Sequence, residues 1–128
     1  MGAVWAKALS GGTKNVHVQI NGWVEEGVLD WQKIVTAASF QSKSLRLDSV
    51  NYALSDKTEV LLAWDNAGEE AHVFLPLNGR GRLDFDAVNG LQNTVGEGKT
   101  GDVLIYVSTE LPRRAYFTLT LDFSKQGN

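Results

Sequence analysis

Residues 115–125, with the sequence AYFTLTLDFSK, alternate apolar and polar side chains more regularly than any other part of the chain. The apolar side chains occupy every second position and belong to Phe117, Leu119, Leu121 and Phe123. Successive side chains of a β-strand point to opposite faces, so a period of two predicts a strand with one buried face. This final strand is the best-defined element of the sequence.

Other segments of strand character precede it at short, regular intervals. Residues 15–21 alternate in the same way, and residues 59–65 are apolar on both faces, as in a central strand. Residues 103–107 are rich in β-branched side chains, and Asn21 with Gly22 signals a tight turn. Because strands do not alternate with helices, the sequence predicts one all-β domain, an antiparallel β-sandwich or a jelly-roll barrel.

The alternation is less regular in two segments. Leu45 and Leu47 lie on odd positions, whereas the apolar residues from Val50 onward lie on even ones. A β-bulge or a strand break near residues 48–49 would produce that change of phase. Residues 28–38 fit both a helical stripe and one face of a strand; we favour the strand, because the segments that follow are all β.

The domain boundaries follow from these segments. Residues 1–13 are predicted to form an N-terminal arm, residues 14–125 the β domain, and residues 126–128 a polar C-terminal tail. The chain has 128 residues, of which 43% are hydrophobic, and it contains no cysteine. A chain of this size buries enough surface to hold a core without disulfides, so one domain is expected.

Charge and hydropathy argue against two classes of partner. The formal net charge is -3 and no run of basic residues is present, so a phosphate-binding surface for nucleic acid is not expected. No apolar run approaches the roughly 20 residues that cross a bilayer, and the first residues lack the pattern of a signal peptide. We therefore expect neither a nucleic-acid partner nor a membrane partner.

The tripeptide GKT at residues 98–100 is similar to the end of a phosphate-binding loop, but its context differs. Such a loop needs a glycine five residues before Gly98, where this chain has Asn93. The loop also opens a helix, whereas residues 103–107 predict a strand. We interpret residues 86–101 as a glycine-rich connection.

Candidate catalytic and metal-binding residues are few. His17 and His72 are predicted to face solvent, and a metal site would need both of them together with carboxylates. Asp84 and Asp86 alternate along one face but lack the dense oxygen ligands of a calcium loop. Without a Gly-x-Ser-x-Gly element or a cysteine, we expect no enzyme, and we assign no catalytic, metal or cofactor site.

The four tryptophans are candidates for the core or for a binding surface. Trp64 is in phase with the apolar residues of its strand and is predicted to lie in the core, as is Trp31. Trp23, at a predicted strand end or loop, and Trp5, in the N-terminal arm, are candidates for contact with a partner. Exposed tryptophans also stack on sugar rings, so a carbohydrate-binding β-sandwich module is an alternative function.

Three segments of the C-terminal half form an ordered set. They are VLLAWDN from Val60, GRGRLDFDAVNGLQNTVGEGKTGDVLIYVS from Gly79, and AYFTLTLDFSK from Ala115. Between Val60 and Lys125 this set resembles small virion structural proteins of tailed bacteriophages, particularly the head decoration, or cement, proteins of marine phages.

The resemblance implies a role and not a reactive site. It implies a non-enzymatic capsid decoration protein that binds over joints between major capsid protein subunits, often as a trimer, on the surface of a virion assembled in the bacterial cytoplasm. In that setting Gly101 would permit an unusual backbone angle, and Asp102 would bond nearby amides. Arg113 and Arg114 are further candidate contacts, because arginine pairs bidentately with carboxylates at interfaces.

Overall fold

The computed structural model of the chain describes residues 1–11, 14–67, 70–96 and 98–126. These residues form nine β-strands and two short 3₁₀ helices. The strands are β1 (Gly2–Gly11), β2 (Asn15–Val24), β3 (Val28–Val35), β4 (Ser44–Leu54), β5 (Thr58–Asn66), β6 (His72–Asn78), β7 (Arg80–Asp84), β8 (Lys99–Thr109) and β9 (Ala115–Gln126). The 3₁₀ helices are Ala37–Phe40 and Asp86–Val88.

The strands form two antiparallel sheets. The five-stranded sheet has the order β1-β2-β9-β4-β7, and the four-stranded sheet has the order β3-β8-β5-β6. The two sheets pack face to face as a sandwich in a single domain. The predicted all-β fold is therefore confirmed, in its sandwich form.

The core lies between the inner faces of the two sheets. β9 is central in the five-stranded sheet, and its predicted apolar face is buried: Phe117, Leu119, Leu121 and Phe123 are each at most 3% exposed. On the facing sheet, Val60, Leu62 and Trp64 of β5 are fully buried, which confirms the prediction for Trp64. The two faces join in one hydrophobic cluster, whose removal from water is the main stabilising contribution to the fold.

The predicted change of phase in β4 is a β-bulge. The register between β4 and β9 shifts between Leu47 and Ser49. Leu47 and Val50, on either side of the shift, are both fully buried, whereas Asp48 is half-buried. A bulge adds one residue to one strand and so exchanges the faces of the side chains that follow.

The ambiguous segment at residues 28–38 is a strand up to Val35, followed by the first 3₁₀ helix. The prediction that Trp31 lies in the core is wrong. Trp31 is half-buried on the outer face of the four-stranded sheet, with its ring 5.3 Å from that of Tyr106. The reason is a register shift between Leu29 and Gln32, which changes the phase of β3 relative to β8.

The N-terminal segment belongs to the sheet. β1 pairs with β2 as the edge strand of the five-stranded sheet, rather than forming the separate arm predicted for residues 1–13. At the other end of the chain, β9 extends to Gln126, and residues 127–128 of the predicted tail lie outside the described residues.

The prediction of a turn at Asn21 and Gly22 is wrong. β2 continues through both residues to Val24, and Gly22 lies opposite Phe117 of β9. A Cβ on residue 22 would come within 2.9 Å of Cε2 of the Phe117 ring, so the ring occupies the space that glycine leaves. The turn falls instead at Glu26 and Gly27, which both have positive φ.

Candidate binding surfaces

Aromatic side chains cluster at one end of the outer face of the five-stranded sheet. Trp23 of β2 lies directly opposite Tyr116 of β9, and Asn21 lies opposite both Trp5 of β1 and Thr118 of β9. Opposite residues of antiparallel neighbours share a face, so these side chains border a common groove. This aromatic groove has a volume of about 560 Å³ and is lined chiefly by Trp5, Asn21, Trp23, Ser55, Tyr116 and Thr118.

Two of the rings in the aromatic groove are open to solvent. Trp5 is 54% exposed and Tyr116 is 59% exposed. Trp23 is half-buried, and the guanidinium carbon of Arg114 lies 3.8 Å from the centroid of its ring. Arg114 Nε is also 3.6 Å from Oε1 of Glu25. Because a guanidinium is attracted to the face of an indole, these contacts hold Trp23 in place.

Three of the four predicted contact residues meet at this end of the molecule. Trp5 and Trp23 line the groove and Arg114 lies on the ring of Trp23, whereas Arg113 is exposed in the connection before β9 and does not line the groove. Sequence reasoning missed Tyr116. Its position on the polar phase of the last strand was the signal that it faces outward.

Polar side chains continue the same outer face away from the aromatic groove. The next row across the strands holds Gln19, Thr120 and Asn51, which lie opposite one another in β2, β9 and β4. The row after it holds His17 opposite Asp122. The face therefore changes from aromatic side chains at one end to amide, hydroxyl and charged groups toward the other.

Asp122 joins a serine and a histidine in this polar region. His17 Nδ1 contacts Asp122 Oδ1, and Ser49 Oγ donates a hydrogen bond to Asp122 Oδ2 at 2.6 Å. In a Ser-His-Asp relay the histidine bonds to the serine and the aspartate lies behind the histidine. Here Asp122 lies between the other two residues, which differs from the order that a relay requires.

The same contacts set the acidity of Asp122. Burial by itself raises the pKa of Asp122, but the hydrogen bonds from Ser49 and His17, together with the charges of His17 and Arg82, lower it below the ordinary value of 3.8. The carboxylate is thus ionised at neutral pH and links β9 to β2 on one side and to β4 on the other.

Gly101 and Asp102 lie in the first residues of β8 rather than in the preceding loop. Gly101 has a φ of 82°, and a Cβ on it would collide with the carbonyl oxygen of Lys43. Asp102 is 9% exposed; its Oδ1 accepts a hydrogen bond from the amide of Ala37 at 3.3 Å, and its Oδ2 lies 3.0 Å from Lys33 Nζ. The two residues therefore connect the start of β8 to β3 and to the first 3₁₀ helix.

Lys33 responds to this acidic neighbour. The hydrogen bond to Asp102 and then the charge of Asp102 raise the pKa of Lys33 above 10.5; burial opposes them, and Asp65, at 3.9 Å, adds to the increase. The Lys33 side chain remains 48% exposed, so solvent screens much of the attraction.

The outer face of the four-stranded sheet is apolar over two adjoining rows that cross the strands. One row consists of Trp31, Tyr106, Leu61 and Pro76, and the other of Leu104, Ala63 and Val73. Neighbours within each row lie opposite one another in adjacent strands, except for Trp31, which reaches Tyr106 by ring contact. We term these seven residues the apolar face.

The apolar face lies outside the hydrophobic core. Ala63 is fully buried without belonging to the core cluster, because it lies between Leu104 and Val73 on the outside of the sheet. Val73 is 45% exposed and Pro76 is exposed, whereas Trp31, Leu61, Leu104 and Tyr106 are half-buried. An antiparallel sheet that covers a core on one side normally carries polar side chains on the other, so this face is typical of a contact surface.

Sequence reasoning missed the apolar face. The sequence indicated it through residues 59–65, which are apolar on both sides of the strand. We interpreted this pattern as a strand buried on both sides. β5 is a central strand, but only one of its faces lies on the core.

A second groove, of about 720 Å³, lies beside the aromatic groove and shares Ser55 with it. Its walls carry hydroxyl, amide and charged groups, including Thr58 and Thr109, whose hydroxyl oxygens are 2.9 Å apart. We term it the polar groove. The two grooves adjoin at Ser55.

Residues 1–11, 14–67, 70–96 and 98–126, which the structure describes, contain neither a metal-binding cluster nor a membrane-spanning helix. No three histidine, cysteine or acidic side chains in these ranges lie together as a metal site requires. His72 is exposed, and its Nε2 lies 2.9 Å from Thr94 Oγ1. Within the same ranges, no helix has the length and apolar character needed to cross a bilayer.

The chain matches no protein-family model, and no curated protein matches its sequence significantly.

Proposed function

We propose that the chain is a non-enzymatic structural protein of a tailed-bacteriophage virion, a capsid decoration protein that binds over joints between major capsid protein subunits and stabilises the head. The segment from Val60 to Lys125 resembles head decoration proteins of tailed bacteriophages, and this resemblance suggests the role. The apolar face is the observation that carries the proposal. A protein that stabilises a shell by binding to it needs an exposed apolar surface from which water is excluded on contact.

The apolar face has the features of a lasting protein contact. Its rows are carried by neighbouring paired strands, so the side chains are held in fixed positions before binding. Removing apolar surface from water contributes about 25 cal/mol per Å². Lys33, which lies opposite Leu104 at the margin, has its ammonium group beside Asp102 and Asp65, so it does not bring an isolated charge into the contact.

Repetition strengthens such a contact. Each copy contributes one apolar face, and several linked copies raise the overall affinity by roughly 10²–10⁴-fold when all of them can bind together. We propose a homotrimer on the capsid surface of the virion, assembled in the cytoplasm of the bacterial host, with the major capsid protein as partner. Nucleic acid and membrane have no part in this proposal.

A co-sedimentation assay with purified capsids of the encoding phage tests the proposal. Val73→Lys places a charge in the apolar face, at a side chain that is 45% exposed. Val88→Lys is the matched control, because Val88 is 63% exposed and lies outside the apolar face. We expect saturable binding by the parent and by Val88→Lys, and binding at least about tenfold weaker by Val73→Lys.

Two results would contradict the proposal. One is the absence of saturable binding of the parent chain to capsids. The other is equal binding by the parent and by Val73→Lys, with both folded as judged by circular dichroism. If the parent chain binds, cryo-electron microscopy of decorated capsids shows directly which face of the sandwich contacts the shell.

A further inference from the structure

The outer face of the five-stranded sheet lies on the opposite side of the sandwich from the apolar face, and it has a different chemistry. We propose that the aromatic groove binds a neutral oligosaccharide. This goes beyond capsid decoration, because it assigns a ligand to a surface that the capsid contact leaves open.

The aromatic groove has the size of a ligand-binding site. Its volume of about 560 Å³ lies within the range of ligand pockets, roughly 300–1,000 Å³. The rings of Trp5 and Tyr116 are more than half exposed on its border. An exposed aromatic ring retains a large apolar surface that gains free energy when a ligand covers it.

Sugar rings match this combination of surfaces. A pyranose has C–H groups on its faces, which pack on aromatic rings, and hydroxyl groups around its edge, which both donate and accept hydrogen bonds. In the groove, Thr118 Oγ1 donates to Asn21 Oδ1 at 2.8 Å, so the amide of Asn21 offers its N–H groups. Ser55 Oγ accepts from the Tyr116 amide at 2.8 Å, and its hydroxyl hydrogen can donate.

The aromatic groove is held in place before any ligand binds. Tyr116 and Ser55 are joined by two hydrogen bonds, since the Ser55 amide also donates to the Tyr116 carbonyl oxygen at 2.9 Å. Trp23 is held by Arg114, whose guanidinium contacts both the indole and Glu25. A site whose side chains are already ordered loses less entropy on binding.

The lining of the groove indicates an uncharged ligand. None of the residues that line the aromatic groove carries a charge, and these residues all lie in the described part of the chain. A charged sugar would leave water without gaining an opposite charge from the lining residues, and the nearby Arg114 guanidinium is already paired with Glu25, so binding of a charged sugar is unfavourable. Ser55 also lines the polar groove, so the two grooves adjoin at this residue.

A printed array of neutral glycans built from glucose, galactose, mannose and N-acetylglucosamine tests the inference. The linear hexasaccharide of the strongest class is then titrated by calorimetry against the parent and three variants. Trp5→Ala and Tyr116→Ala remove a stacking surface, and we expect each to weaken binding at least about tenfold. Trp31→Ala removes an indole from the opposite face and is expected to bind the hexasaccharide like the parent.

The outcomes separate this inference from the capsid contact. Trp5→Ala should keep its capsid binding while losing the glycan, and Val73→Lys should do the reverse. The carbohydrate inference would be overturned if the folded parent bound no glycan on the array. It would also be overturned if a Trp5→Ala/Tyr116→Ala double variant bound the glycan as the parent does. Loss of capsid binding in Trp5→Ala would also overturn it, since it would make the aromatic groove a protein contact.

Discussion

Gly22 of β2 and Phe117 of β9 lie directly opposite each other, and the phenyl ring occupies the space where a side chain at residue 22 would lie. The added carbon would also collide with the carbonyl oxygen of Ala3 in β1. A glycine in the interior of a strand costs backbone entropy, so its presence here has a packing reason. The pair therefore sets how closely β1, β2 and β9 approach one another.

Gly22→Ala is expected to lower the free energy of unfolding by about 1–3 kcal/mol, because the methyl group overpacks the core beside Phe117. Gly96→Ala is the control, since a Cβ on Gly96 would have no atom within 4 Å. That variant should change the free energy of unfolding by less than about 1 kcal/mol. Urea denaturation followed by circular dichroism measures both, and equal losses would mean that crowding at residue 22, by the Phe117 ring and the Ala3 carbonyl oxygen, is not the cause.

The Asp122 cluster should make folding sensitive to acid. The pKa of Asp122 is lowered below 3.8 in the folded chain, so its contribution to stability is present above pH 3.8 and is lost as the pH falls through the folded-state pKa. Asp122→Asn should therefore show a shallower loss of stability between pH 5 and pH 2 than the parent. Asp56→Asn, at an exposed turn residue, should keep the slope of the parent.

Ser49→Ala tests the cause of that pKa. Removing the hydroxyl that donates to Asp122 Oδ2 should raise the pKa of Asp122 toward its ordinary value. Carbon-13 NMR of the Asp122 carboxyl group measures the change directly. An unchanged pKa would show that His17 and Arg82 account for the whole effect.

Asp102→Ala is expected to lower the free energy of unfolding by about 1–3 kcal/mol, because the buried Ala37 amide and Lys33 both lose their acceptor. The pKa of Lys33 is raised above 10.5 by Asp102, so this pair adds stability below pH 10.5 that is lost as the pH rises through the folded-state pKa. Thermal melts at pH 8 and at pH 11 should therefore differ less for the variant than for the parent. Equal melting temperatures of variant and parent at pH 8 would contradict the prediction.

Substitution of Trp64 or Trp5 by alanine should distinguish a core tryptophan from a surface one by the loss in the free energy of unfolding. Trp64 is fully buried and stacks on Phe74 with ring centroids 4.1 Å apart, so Trp64→Ala should cost about 3–5 kcal/mol. Trp5 is 54% exposed on an edge strand, and Trp5→Ala should cost less than about 1 kcal/mol. Circular dichroism in urea compares them, and a large loss in Trp5→Ala would show that Trp5 is part of the packed fold.

The amino-acid sequence by itself determined most of the strands after residue 14 and the place where one of them bulges. Alternation of apolar side chains is a local property, so β9 was predicted from residues 115–125 and the bulge of β4 from the change of phase after Leu47. The same local information gave a wrong prediction of a turn at Gly22. In the sequence, a glycine that leaves space for the ring of a distant residue cannot be distinguished from a glycine in a turn.

Only the tertiary structure decided which strands are neighbours, and therefore which side chains share a surface. Trp5, Trp23 and Tyr116 come from three strands, and they meet because β2 pairs with β1 on one side and with β9 on the other. A register shift against β8 placed Trp31 outside the core. Pairing and register arise from hydrogen bonds and packing between segments far apart in the chain, and no local pattern contains that information.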